Sequence, residues 1–297
     1  MRLSLESLLS TVHRGWEEMH AVCALKTCPN TIFMRSVQSR VGVGVGEQWY
    51  CSADCFAVAA GIRIAALAGP KVLEMPHSPR LSIGLVMLSK GYLTDAQLRF
   101  ATSQSQLDGE ELELTVVKLG LASERQVAAA RATQWGYPVL GPEHIGKLVG
   151  SDIPFILLQS CSAVPLHCSV AARRMLLGFV RRVDHSLLNA VEQVTKFRVE
   201  PCFITPTDFA EQVERLTAMP SFEQVAFDDP KTPAQMGKTV GGLAVEVGVR
   251  EAYFAHCRDH VWARLSGKRQ TIDVLFRIKG NRSTGILPHS AGIRSVG

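Results

Sequence analysis

The segment 83–98 returns 29 positions later in the chain, so that Leu85 matches Leu114, Gly91 matches Gly120 and Leu98 matches Val127. A duplication of this kind means that one small unit is built twice and that the copies share a core. In each copy an apolar run ends at a glycine, the residue that most easily takes the left-handed conformation closing a helix. Thr94 or Ser123 then stands where a hydroxyl can cap a new helix, with Asp95 or Glu124 in its first turn. The expected unit is helix, turn, helix, occurring twice.

Downstream, residues 153–159 read as an apolar helix, 163–167, 175–180 and 198–205 as short strands, and 184–197 and 206–216 as helices. This is a small α/β unit. With the repeats before it, the whole resembles the N-terminal domain of type II secretion and type IV pilus assembly ATPases, in the form known as MshEN. The resemblance is carried by Gly84 and Gly91 at the family's glycine spacing, by Gln134 at the family's final glutamine, by Tyr137-Pro138-Val139-Leu140, and by Glu200-Pro201 followed by Thr205-Pro206-Thr207-Asp208-Phe209. It covers residues 80–218.

The resemblance implies cyclic di-GMP binding at Arg80, Gly84, Gly91, Gly120 and Gln134, and a protein partner, the inner-membrane platform of a secretion or pilus machine. The sequence departs from the family motif at Ser82 and Glu111, where the family has arginine, at Glu113, where it has glycine, and at Ser105, where it has glutamine. Arginine pairs with phosphate and guanine through a planar fork, which serine lacks and glutamate opposes. Arg80, two residues before Ser82, is the available substitute.

The eight cysteines are unevenly placed, and Cys23, Cys28, Cys51 and Cys55 form two pairs near the N-terminus. Spaced pairs of thiolates close tetrahedrally around zinc. Gly42, Gly44 and Gly46 lie between the pairs, and Trp49-Tyr50-Cys51-Ser52-Ala53-Asp54-Cys55-Phe56 resembles the second knuckle of a treble-clef or FCS-type zinc finger, leading into a helix at 57–67. His20 is an alternative ligand. The glycine spacing does not meet the dinucleotide-loop pattern, since Glu47, Gln48 and Trp49 follow it.

At the C-terminal end, Gly237-Lys238-Thr239 is only a fragment of a phosphate-binding loop, because position 232 carries Thr232 instead of the required glycine. No other specific catalytic arrangement is evident, so no enzymatic activity is expected. Residues 219–241 read as a linker, on account of Pro230 and Pro233. Leu243, Val247, Phe254, Cys257, Val261 and Leu265 suggest an amphipathic helix from 242 to 265, followed by a strand at 271–278. Residues 280–297 read as a disordered tail. Of the formal net charge of +5, a local balance of +6 falls in residues 258–297. A basic end of this kind can meet nucleic acid, although no aromatic RNA-binding motif supports that partner.

The expected fold class is therefore α+β and multi-domain: a small zinc module (1–70), a helical repeat bundle (80–140) followed by a small α/β unit (141–218), a linker (219–241) and a C-terminal helix-strand unit (242–279). The apolar runs 56–67 and 153–158 fall short of the about 20 residues that cross a bilayer, and no secretory leader is visible, which implies a cytoplasmic protein without membrane insertion. The leading functional expectation is a non-catalytic adaptor or regulatory protein. The alternatives are a cyclic di-GMP receptor with a degenerate motif and a zinc-containing nucleic-acid-binding regulator.

Overall fold

The computed structural model describes residues 20–33, 42–69, 80–141, 153–219, 222–229, 231–278 and 293–295. The chain divides into two compact units, one made of residues 1–69 with 222–297 and the other of residues 70–221. The architecture is α+β.

The first unit begins with two small antiparallel hairpins, β1 (His20–Val22) with β2 (Thr31–Phe33) and β3 (Val43–Val45) with β4 (Gln48–Tyr50). Helix α1 (Ala53–Ala68) follows, capped by Ser52, whose hydroxyl accepts the Cys55 amide. The expected helix at 57–67 lies within it.

The second unit opens with the duplicated element. Helices α2 (Ile83–Ser89) and α3 (Asp95–Asp108) form the first copy, α4 (Leu112–Lys118) and α5 (Glu124–Trp135) the second. Thr94 with Gln97 and Ser123 with Gln126 form reciprocal capping boxes at the starts of α3 and α5. The four helices enclose a shared core of Val86, Met87, Leu93, Ala101, Val116, Ala122, Val127 and Ala130. Helix α6 (Phe155–Ser160) leads into β5 (Ala163–Ser169), β6 (Arg174–Phe179), α7 (His185–Thr195), β7 (Arg198–Phe203) and α8 (Pro206–Thr217). The strands form a sheet in the order β5-β6-β7, antiparallel then parallel. The Val139–Phe203 bridge ties the exit from the repeats to this sheet.

The chain then returns to the first unit with β8 (Glu223–Phe227), α9 (Pro233–Val247), β9 (Val249–Cys257), β10 (His260–Gly267), β11 (Thr271–Arg277) and β12 (Ile293–Ser295). These strands form one sheet, ordered β12-β8-β11-β10-β9. Three expectations are corrected here. The stretch read as a linker contains β8 and the first half of α9, because Pro233 starts that helix after the Thr232 cap. The helix expected from 242 to 265 stops at Gly248, left-handed at φ 62°, and gives way to β9 and β10. The tail expected to be disordered contributes β12 at 293–295, paired in parallel with β8; its other residues lie outside those described.

The sheet is buried on both faces along β10. Every residue from His260 to Leu265 is buried, which erases the alternation that identifies a strand and leaves apolar positions that also satisfy a helical period.

Helices α1 and α9 pack backbone to backbone. A Cβ added at Gly237 would lie 2.3 Å from the Ala57 carbonyl oxygen, and one at Gly241 would lie 2.7 Å from the Ala57 Cβ. The glycine of the phosphate-loop fragment is therefore a packing residue inside a helix. The core around this pair joins Cys23, Leu25, Trp49, Tyr50, Phe56 and Ile64 from the N-terminal part to Met236, Val240, Val261, Leu265, Val274 and Phe276 from the C-terminal part.

Candidate functional site

The four N-terminal cysteines come together. The Sγ atoms of Cys23, Cys28, Cys51 and Cys55 all lie within 4.8 Å of one another. Cys28 and Cys51 are separated by 3.6 Å and Cys51 and Cys55 by 3.4 Å. Zinc–sulfur bonds of about 2.3 Å in a tetrahedron place sulfurs about 3.8 Å apart, so the donor set fits a structural tetrathiolate zinc ion. Bound there, zinc would hold the two hairpins and the start of α1 together.

The local structure explains how each thiol is placed. The Cys23 amide donates to the Asn30 carbonyl and the Cys28 amide to that of Leu25, folding the first pair into a knuckle. Cys51 and Cys55 bracket the start of α1, where the helix dipole favours negative charge. The Cys51 amide donates to the Cys23 sulfur at 3.5 Å, and the Asn30 side chain donates to the Cys51 sulfur at 3.4 Å. The Asn30 contact and the neighbouring thiols bring the Cys51 thiol down to about 7. At Cys55 the lowering effect of Ser52 is outweighed by Cys51, burial and the other thiols, and the thiol is pushed up to about 12. Cys28 is also raised, since a lowering contact from the Asn30 backbone is outweighed by burial and Cys51. Zinc coordination takes thiolates, and a dication bound there would stabilise that form.

The residues expected to hold a nucleotide are placed more diversely. The Arg80 guanidinium lies 3.5 Å from the ring centroid of Trp135, and next to it Gln134 donates its amide to the Leu81 carbonyl at 2.5 Å. The structure thereby brings Arg80 and Gln134 together, at the junction between the start of the first repeat and the end of the second. Gly84 serves packing: a Cβ there would lie 2.8 Å from Leu98 Cδ1 and 3.2 Å from Leu112 Cδ2. Gly91 and Gly120 occupy the two helix-ending turns, left-handed at φ 69° and 67°.

The second repeat borders a cleft of about 170 Å³, lined by Glu111, Glu113, Leu114, Val127, Arg131 and Arg181, among others. Two ion pairs within the unit border it. Arg131 pairs with Glu113 at 2.8 Å and also donates to the Arg181 carbonyl, while Arg181 pairs with Glu111 at 2.9 Å. Glu124 accepts the Thr207 amide at 3.2 Å, at the start of α8. Sequence reasoning did not find Arg131, Arg181, Trp135 or Asn30, because their partners lie far along the chain or, for Asn30, outside the cysteine spacing that drew attention.

No family model matches the chain. It is 29% identical over 129 residues, 43% of its length, to the type IV pilus assembly ATPase PilB of Thermus thermophilus, and the match spans 14% of that protein. Among solved structures, one of MshE with cdg is 20% identical, covers 46% of this chain and 99% of that one, and has a TM-score of 0.38. The N-terminal domain of XpsE is 20% identical, covers 45% of this chain and 92% of that one, with a TM-score of 0.34. The chain resembles the N-terminal domains of secretion and pilus ATPases over part of its length. Among the described residues, no helix is long and apolar enough to cross a membrane.

Proposed function

We propose that this chain is a non-catalytic adaptor or regulatory binding protein related to type II secretion and type IV pilus assembly, acting in the cytoplasm through a protein partner such as an inner-membrane platform component. The observation that carries the reading is the largely buried ion pair Arg131–Glu113, set where the second repeat would otherwise offer its polar groups to a ligand, with the part-exposed Arg181–Glu111 pair beside it. Glutamates at these positions also lack the planar donor fork that pairs with phosphate. With its charges engaged, the repeat pair supports a rigid scaffold, and the likeness to a pilus assembly ATPase supports the pathway. A zinc ion on Cys23, Cys28, Cys51 and Cys55 is the proposed structural cofactor. Crosslinking of the tagged chain in cells, followed by identification of the captured proteins, should recover pilus or secretion platform proteins. Their persistent absence would refute the reading.

A second reading has one observation in its favour. Arg80 and Gln134 lie beside each other at the junction of the repeats, where a guanidinium and an amide could both reach cyclic di-GMP, with Gly84, Gly91 and Gly120 shaping the backbone around it. That reading requires Arg80 to leave the Trp135 ring or to stack a base in its place.

A further inference from the structure

One end of the β5-β6-β7 sheet carries more basic than acidic side chains. The β5–β6 turn contributes Arg173, β6 starts at Arg174, and β7 starts at Arg198 directly beside it, with Lys196 two residues earlier. All four residues are exposed. The Arg198 amide donates to the Arg173 carbonyl at 2.8 Å, which fixes the turn against the neighbouring loop. Glu200 approaches Arg174 at 3.5 Å with both side chains part-exposed, a pair that compensates little of the charge, and the Glu192 carboxylate accepts the Val199 amide beside Arg198. Like charges on adjacent strands repel and weaken the sheet that bears them.

The backbone provides a second, independent observation. Arg173 and Lys196 both adopt left-handed conformations, at φ 48° and 60°. Glycine takes this conformation without strain and other L-residues do not. The chain thus places cations at two positions where glycine would fold more easily, at the end of the sheet where positive charge is already crowded. In the same turn Val170 is 66% exposed, and Ala171 and Ala172 are exposed beside it.

We propose that this end of the sheet is a peripheral docking surface for an anionic phospholipid membrane. Guanidinium groups match phosphate in a planar, two-pronged geometry. The exposed Val170-Ala171-Ala172 turn supplies the apolar tip that enters the headgroup layer while the flanking cations stay at phosphate level. An acidic protein segment would satisfy the charges but leave that apolar tip without a role. The proposal concerns surface binding without insertion and does not depend on the adaptor reading.

The test is flotation of the full-length, zinc-replete chain with phosphatidylcholine vesicles that contain or lack phosphatidylglycerol. Binding is expected only with the anionic lipid and should weaken as salt is raised. The Arg173→Gly/Arg198→Gln variant should bind roughly 30-fold more weakly, since each cation near an anionic surface contributes about a fivefold factor. The Arg173→Gly variant alone should show an equal or higher unfolding midpoint, because glycine relieves a left-handed position. Equal binding to both vesicle types, no binding, or unchanged binding by the double variant would overturn the proposal. Binding to polyglutamate but not to anionic vesicles would also overturn it and assign the surface to an acidic protein.

Discussion

The helical repeats at 80–140 and the sheet formed by 223–277 with 293–295 are held together in different ways. In the repeats the determining residues lie a few positions apart: Thr94 caps a helix with Gln97, Gly91 ends one, and Leu93 packs into the core beside them. The sheet depends on residues from distant parts of the chain, since Phe56 and Ile64 share a core with Val261 and Val274. Local signals make the repeat a modular element, whereas the first unit exists only once the two ends of the chain have met. The two units should therefore respond differently to the same kinds of perturbation.

The largest contrast is expected from the cysteines. Metal coordination contributes on the order of 10 kcal/mol in small zinc modules. Chelation, or Cys51→Ser, should abolish amide exchange protection in β10 and β11 as well as in the hairpins, because Cys23 and Cys51 pack against the core that β10 and β11 share. Protection in α3 and α5 should be unaffected. If the loss stayed within residues 20–52, the hairpins would be an independent module and the comparison would break.

That contrast also explains what was legible in the sequence. The repeat, its turn glycines, its caps and the α/β strands were readable because each is encoded within a short window. The cysteine tetrad was readable because thiol spacing is a chemical signal that needs no knowledge of the fold. The sheet was misread because Trp262 and Leu275 are as fully buried as Val261 and Val274 on the other face, so no alternation remained. Pro230 and Pro233 pointed to a linker, although a proline in the first turn of a helix is also a start signal. The pairing of Arg131 and Arg181 with glutamates could not be read at all, since Arg181 and Glu111 are 70 positions apart.

A smaller effect should follow from breaking the buried polar set on the sheet. Asp273 accepts from Trp262 Nε1 at 2.7 Å and from Arg264 Nε and a terminal guanidinium nitrogen at 2.8 Å each, all buried. Removing one partner of a buried ion pair costs about 3–5 kcal/mol, so Asp273→Ala should lower the denaturant midpoint of the first unit and leave the second unchanged. Gly237→Leu should cost about 1–3 kcal/mol through overpacking, because its Cβ meets the Ala57 carbonyl. Its effect should likewise be confined to the first unit, as read by residue-resolved exchange.

The smallest effects belong to the repeats. Gly91→Ala and Gly120→Ala should each cost about 1 kcal/mol, from the left-handed φ alone, since nothing lies within 4 Å of either added Cβ. Because each turn is local, the two losses should add to within about 0.5 kcal/mol in the double variant. A strongly non-additive result in thermal unfolding would show that the repeats are coupled more tightly than their separate signals imply.

As a scaffold, the second repeat keeps Arg131 and Glu113 engaged with each other and unavailable to a nucleotide. Calorimetric titration of the metal-replete chain with cyclic di-GMP, with GMP and ATP as controls, tests this most directly. No saturable heat is expected with any of the three. Selective binding of cyclic di-GMP that Arg80→Ala or Gln134→Ala weakens would contradict the scaffold reading and make this chain a second-messenger receptor.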